Sequence, residues 1–155
     1  MQLYPSLTAP RLSSFHALIR VPEDEPFDPA AYDMHRKSGL LDLVRTKGLP
    51  HDEVHRSVVA WLERFAPKEN SLVLTGNTIR FDRAFLKAQF PQVEERFLHY
   101  RMIDVSSFKE VARSLGLGEC PKLALHRSME DIDEARKELR WCLQALRRYD
   151  MDLPE

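Results

Sequence analysis

Leu125-His126-Arg127-Ser128-Met129-Glu130-Asp131-Ile132-Asp133-Glu134-Ala135 closes a loop and opens a long amphipathic run. Ile132, Ala135, Leu139, Cys142, Leu143 and Leu146 recur at spacings of three and four, which marks one face of a helix. Asp131 then lies in the first turn, where the positive end of the helix dipole favours an ionised carboxylate, the state a divalent cation requires. Ser128 with Asp131 three residues on also has the form of a capping box, and capping alone accounts for both residues.

A chain of 155 residues suits one domain, large enough to stand without disulfides or metals as staples. Lys and Arg total 23 against 24 Asp and Glu, so no overall positive field draws nucleic acid and any phosphate binding has to be local. Cys120 and Cys142 are far apart in sequence, with no Cys-x-x-Cys and no secretion signal, which predicts a cytoplasmic protein with free thiols. No apolar run reaches membrane-spanning length, so no membrane partner is expected.

Residues 1–14 carry two prolines and predict a short or irregular segment. Residues 15–21 read as a strand closed by Pro22. Asp28-Pro29 opens a helical piece through Arg36, Lys37-Ser38-Gly39 breaks it, and a second piece from Leu40 ends at Gly48-Leu49-Pro50. Val54, Val58, Trp61, Leu62 and Phe65 predict an amphipathic helix over 51–65, stopped by Pro67. Residues 71–75 and 100–105 read as buried strands. The first is followed by a Gly76-Asn77-Thr78 turn and a helix from Asp82 that ends at Pro91. Ser106 or Ser107 is expected to cap a helix bearing Phe108, Val111, Ala112 and Leu115, ended by Gly116 and Gly118. Strands alternating with helices predict an α/β layer.

Asp82 repeats the logic of Asp131, since it follows an apolar strand and a turn and begins a helix; alone, it reads equally as a cap. Asp104 closes a strand and reads as a cap for the next helix. His51-Asp52-Glu53-Val54-His55 places two histidines on one helix face, yet Asp52 stands where a zinc protease carries Glu, and no third ligand is evident. Tyr100-Arg101 and Arg147-Arg148-Tyr149 pair basic with aromatic side chains, which suits phosphates and bases and also suits an ordinary surface.

Taken in register, Gly76-Asn77-Thr78-Ile79-Arg80-Phe81-Asp82-Arg83-Ala84-Phe85-Leu86, then Tyr100-Arg101-Met102-Ile103-Asp104-Val105-Ser106, then His126-x-x-x-x-Asp131 resemble the oligoribonuclease branch of the DEDDh 3'–5' exonucleases. His35-Arg36-Lys37-Ser38-Gly39-Leu40 is similar to that branch's His-x-x-Ser-Gly-Leu segment. The resemblance runs from about Phe15 to Tyr149. It implies an α/β, ribonuclease-H-like mixed sheet flanked by helices, and metal-dependent hydrolysis of short RNA or single-stranded nucleic acid. It assigns Asp82 and Asp131 as ligands of Mg2+ or Mn2+ and His126 as the general base. His35, with Tyr100, Arg101 and Ser106 from the other subunit of a homodimer, would cap the phosphate end of the substrate. Ser38 and Asn77 join them as substrate-binding residues.

The family's first motif, an Asp-x-Glu on the central strand, has no counterpart before Asp82, and nothing acidic precedes Glu23. The expected domain therefore spans 15–150, after an irregular 1–14 and before a tail at 151–155, and lacks its first, central strand. A lost central strand leaves unpaired edges, which argues that the piece exists upstream of this reading frame. With two of four carboxylates, cation affinity and turnover are expected to suffer. The family's tryptophan ahead of the His-x-x-Ser-Gly-Leu segment is also replaced, with Tyr32 the nearest aromatic. The alternatives are a non-catalytic dimeric binder of short nucleic-acid ends and a plain structural α/β domain.

Overall fold

The computed structural model describes residues 1–22, 24–120 and 128–148. The chain divides into two compact units: residues 15–65, and residues 1–14 together with 66–155.

In the unit 15–65, helix α1 (Pro29–Lys37) starts as its sequence predicts. Asp28 accepts from the amides of Ala30 and Ala31 at 3.0 and 3.1 Å, and Pro29 occupies the first turn, where no N–H is missed. Gly39, at φ 73°, breaks the chain before α2 (Leu40–Lys47). Helix α3 (His51–Phe65) buries Val54, Val58, Val59 and Leu62, and Trp61 stacks at 5.6 Å from Phe15.

The strand expected over 15–21 does not form. The segment makes one parallel bridge, Ile19 with Leu49, through Leu49 N–H to Leu18 O (2.8 Å) and Arg20 N–H to Leu49 O (2.9 Å). The reason is pairing: an apolar alternation specifies a face, but a strand needs a neighbour, and here the neighbour is one residue long. Gly48 permits this approach, since a Cβ there would lie 2.7 Å from the Arg20 Cα.

In the other unit, β1 (Gln2–Leu3) and β2 (Ser13–Ser14) form a two-residue antiparallel ladder. Strands β3 (Leu72–Gly76) and β4 (Leu98–Asp104) run parallel, with Leu74 opposite Met102 and Gly76 opposite Asp104. Helices α4 (Arg80–Gln89) and α5 (Pro91–Phe97) make the crossover, and α6 (Val105–Ser114) follows β4 directly. Helix α7 (Ser128–Arg148) packs on α6 and β3. Among the described residues the parallel sheet has these two strands.

Three expectations are corrected here. Neither strand is buried throughout: Val73 is 45% exposed and Tyr100 70%, because helices cover one side of a single strand pair. Pro91 does not merely stop a helix; it sits in the first turn of α5, where its missing N–H is harmless. Of the two caps read for α6, Asp104 is the one that forms, not Ser106 or Ser107, its carboxylate accepting from Ser106 N–H at 2.9 Å.

The core of this unit joins Ile79, Phe90, Val93, Phe97, Leu98, Val105 and Ala112 with Ala135, Leu139 and Cys142 of α7. Arg83 locks the crossover. Its guanidinium pairs with Glu94 at 2.9 Å and also donates to the carbonyls of His99 (3.0 Å) and Tyr100 (2.8 Å). The α4 helix that carries Asp82 is thereby fixed to α5 and to the start of β4. Among the described residues no helix is long and apolar enough to cross a membrane.

Candidate functional site

Parallel strands followed by helices present their ligand crevice at the carboxyl ends of the strands. There the Gly76-Asn77-Thr78 turn meets the Asp104-Val105-Ser106 junction. Thr78 N–H donates to Asp104 Oδ1 and lies equally close to Ser106 Oγ, both at 3.0 Å. The two hydroxyls, Thr78 Oγ1 and Ser106 Oγ, are 3.3 Å apart. Thr78 holds φ 51°, an unfavourable conformation for a β-branched residue, and such strain persists only where the surroundings fix it.

Asn77 joins this turn to α7. Its Nδ2 donates to Glu138 Oε2 at 2.7 Å, and its Oδ1 accepts from Ser106 Oγ at 3.4 Å. Glu138 is 1% exposed, and its other oxygen accepts from Lys109 Nζ at 3.1 Å. Sequence reasoning missed Glu138, although a signal was there: position 138 falls on the same three-and-four stripe as Ala135, Leu139 and Cys142.

Asp82 is in the first turn of α4 and exposed as a residue. Partial burial of its carboxyl nevertheless pushes it above the ordinary value of 3.8, with its own backbone amide pulling the other way. The sign follows directly. Below 3.8 the carboxyl is protonated in both the folded and the unfolded chain; as pH rises through the raised folded value, the folded state must ionise a group it holds less well, and stability falls. Asp82→Asn is therefore expected to be more stable than the parent at neutral pH and indistinguishable in acid, as urea unfolding at the two conditions will read. A variant less stable at neutral pH contradicts this.

Asp131 is exposed in the first turn of α7. It precedes Glu138 by seven residues, which places it on nearly the same helix face about 10 Å along the axis. His126 lies outside the described residues, as does the expected tail at 151–155. Among the described residues no three His, Cys, Asp or Glu side chains cluster as metal ligands.

Tyr100 and Arg101 stand exposed on β4, the Arg101 guanidinium 5.3 Å from the Tyr100 ring centre and the Tyr100 ring 4.4 Å from that of His99. The structure thus brings Asn77 and Ser106 together and ties both into the turn. His35 and Ser38 belong to the unit 15–65, where the Ser38 hydroxyl donates to the His35 carbonyl at 3.1 Å.

The chain is 37% identical over 117 residues to an oligoribonuclease of Nocardia farcinica, covering 73% of this chain and 54% of that protein. It is 37% identical over 113 residues to one of Mycobacterium bovis (70% and 52%), and 38% identical over 112 residues to one of Rhodococcus jostii (70% and 56%). No protein-family model matches. The chain spans about half the length of the curated relatives it matches. These relatives, named oligoribonuclease, are similar to this chain over about 70% of its length, and with the α/β arrangement above they support an oligoribonuclease-like reading with a ribonuclease-H-like fold.

Proposed function

We propose that these residues are part of a 3'–5' exonuclease that removes nucleotides from short RNA by two-metal phosphodiester hydrolysis. The observation that carries the reading is the similarity to oligoribonucleases over about 70% of the chain, with Asp82 in the first turn of the helix that follows β3 and its carboxyl raised by partial burial. A raised carboxyl is one that a divalent cation would bring back to the ionised state. Asp82 and Asp131 are the residues that would hold Mg2+ or Mn2+, and their hard oxygen donors suit either ion. When bound, the cations supply charge stabilisation at the reacting phosphate. His126 takes the proton of the attacking water. His35, with Tyr100, Arg101 and Ser106 from the other subunit of a homodimer, caps the phosphate end of the RNA, where Arg supplies charge-assisted hydrogen bonds. Two cysteines, Cys120 and Cys142, with no Cys-x-x-Cys between them, accord with work in the cytoplasm.

No Asp-x-Glu precedes Asp82 in these 155 residues. Two carboxylates then stand where the family uses four, so residues 1–155 alone are expected to give little or no turnover of a labelled RNA dinucleotide with Mn2+ while still binding it. Robust turnover that Asp131→Asn abolishes would show that two carboxylates suffice. The same sequence feature favours a second reading, a non-catalytic dimeric binder of short nucleic-acid ends, which shows as dinucleotide binding unaffected by Mn2+. Arg101→Ala should weaken dinucleotide binding roughly tenfold or more, the loss of a hydrogen bond to a charged partner. Unchanged binding removes Arg101 from the phosphate site.

A further inference from the structure

Glu138 is a carboxylate where the pattern of α7 calls for an apolar side chain. It lies between Ala135 and Cys142, 1% exposed, and its paired cation Lys109 comes from α6. Burying such a pair costs desolvation that its attraction scarcely repays, and apolar residues of similar volume join two helices as well or better. Helix packing therefore does not explain Glu138. What an apolar residue cannot do is accept from Asn77.

That hydrogen bond closes a chain of contacts. Asn77 is fixed on one side by α7 and on the other by the Ser106 hydroxyl, and the next residue, Thr78, is held at φ 51° by its amide contacts with Asp104 and Ser106. Four residues later comes Asp82, and seven residues before Glu138, on nearly the same face of α7, comes Asp131. We propose that Glu138 is a positioning residue: by holding Asn77 it sets the turn that leads to Asp82 against the helix that bears Asp131. The functional side of this rests on the exonuclease reading above. The positional side does not.

The test compares two double variants that both remove the charge pair. E138Q/K109M keeps a carbonyl oxygen for Asn77, and E138M/K109M keeps volume but offers no acceptor. The readout is NMR hydrogen exchange of the Thr78 amide. In E138Q/K109M it should match the parent, and in E138M/K109M Thr78 should exchange about tenfold faster, the factor for losing one hydrogen bond of ordinary net strength. If the double variants do not fold, Asn77→Ala removes the same bond from the exposed side and should give the second pattern. Equal behaviour of the two double variants, or an unaltered Thr78 amide in Asn77→Ala, overturns the proposal. Mn2+ affinity measured alongside should fall only where the Asn77 acceptor is lost. A parent chain that binds no Mn2+ defeats the exonuclease reading and leaves the Thr78 result to decide the role of Glu138.

Discussion

Asp131→Asn is expected to lower the affinity of the chain for Mn2+ by at least about tenfold, since even groups that only support a metal ligand cost 10–100-fold when changed. The substitution keeps shape and removes a hard anionic donor. It disturbs the fold little: Asp131 is exposed, one turn ahead of the buried Ala135. The loss of a negative charge near the helix start has a cost of roughly 0.3–1 kcal/mol, too small to unfold a domain. A Mn2+ titration followed by electron paramagnetic resonance, with urea unfolding as the control, separates the two effects. Affinity unchanged in a folded variant would return Asp131 to a helix-start role alone.

Phe97→Ala should destabilise its unit by about 3–5 kcal/mol, the range for emptying a buried aromatic site. Phe97 is 0% exposed and ends α5, beside Val93 at 0% and Leu98 at 3%. It packs where the crossover hands the chain to β4, so the cavity cannot close without moving the strand that ends at Asp104. The face of the ring also lies 5.0 Å from the Arg96 guanidinium, and alanine has no ring to attract that cation. Urea unfolding followed by far-ultraviolet circular dichroism measures the change. A loss below about 1 kcal/mol would mean that the site collapses freely, contrary to the close packing assumed.

Local chemistry was legible in the sequence, and long-range pairing was not. Helix α3 begins and ends where the stripe from Val54 to Phe65 predicts, and Asp28-Pro29 starts α1, because caps and periodicity act within a few residues. The turn at Gly76-Asn77-Thr78 and the capping role of Asp104 were readable for the same reason. Residues 15–21 look like a strand by alternation, but alternation is silent on whether a neighbour exists. The apolar runs at 71–75 and 100–105 pointed to strands without revealing that Val73 and Tyr100 stay exposed, since composition does not say which face is covered. Pro91 served equally as a stop and as a start. Asp82 and Asp131 were readable as residues of a helix's first turn, where both stand. The hydrogen bond between Asn77 and Glu138 spans 61 residues, beyond any local rule.

The exonuclease reading depends on Asp82, His126 and Asp131 converging on a single metal-binding pocket. Paramagnetic broadening by substoichiometric Mn2+ in a chain labelled at aspartate and histidine reads it directly. The three resonances should broaden together, at the same Mn2+ concentration. Broadening of Asp82 and Asp131 at different concentrations, or of one without the other, would show that they share no pocket.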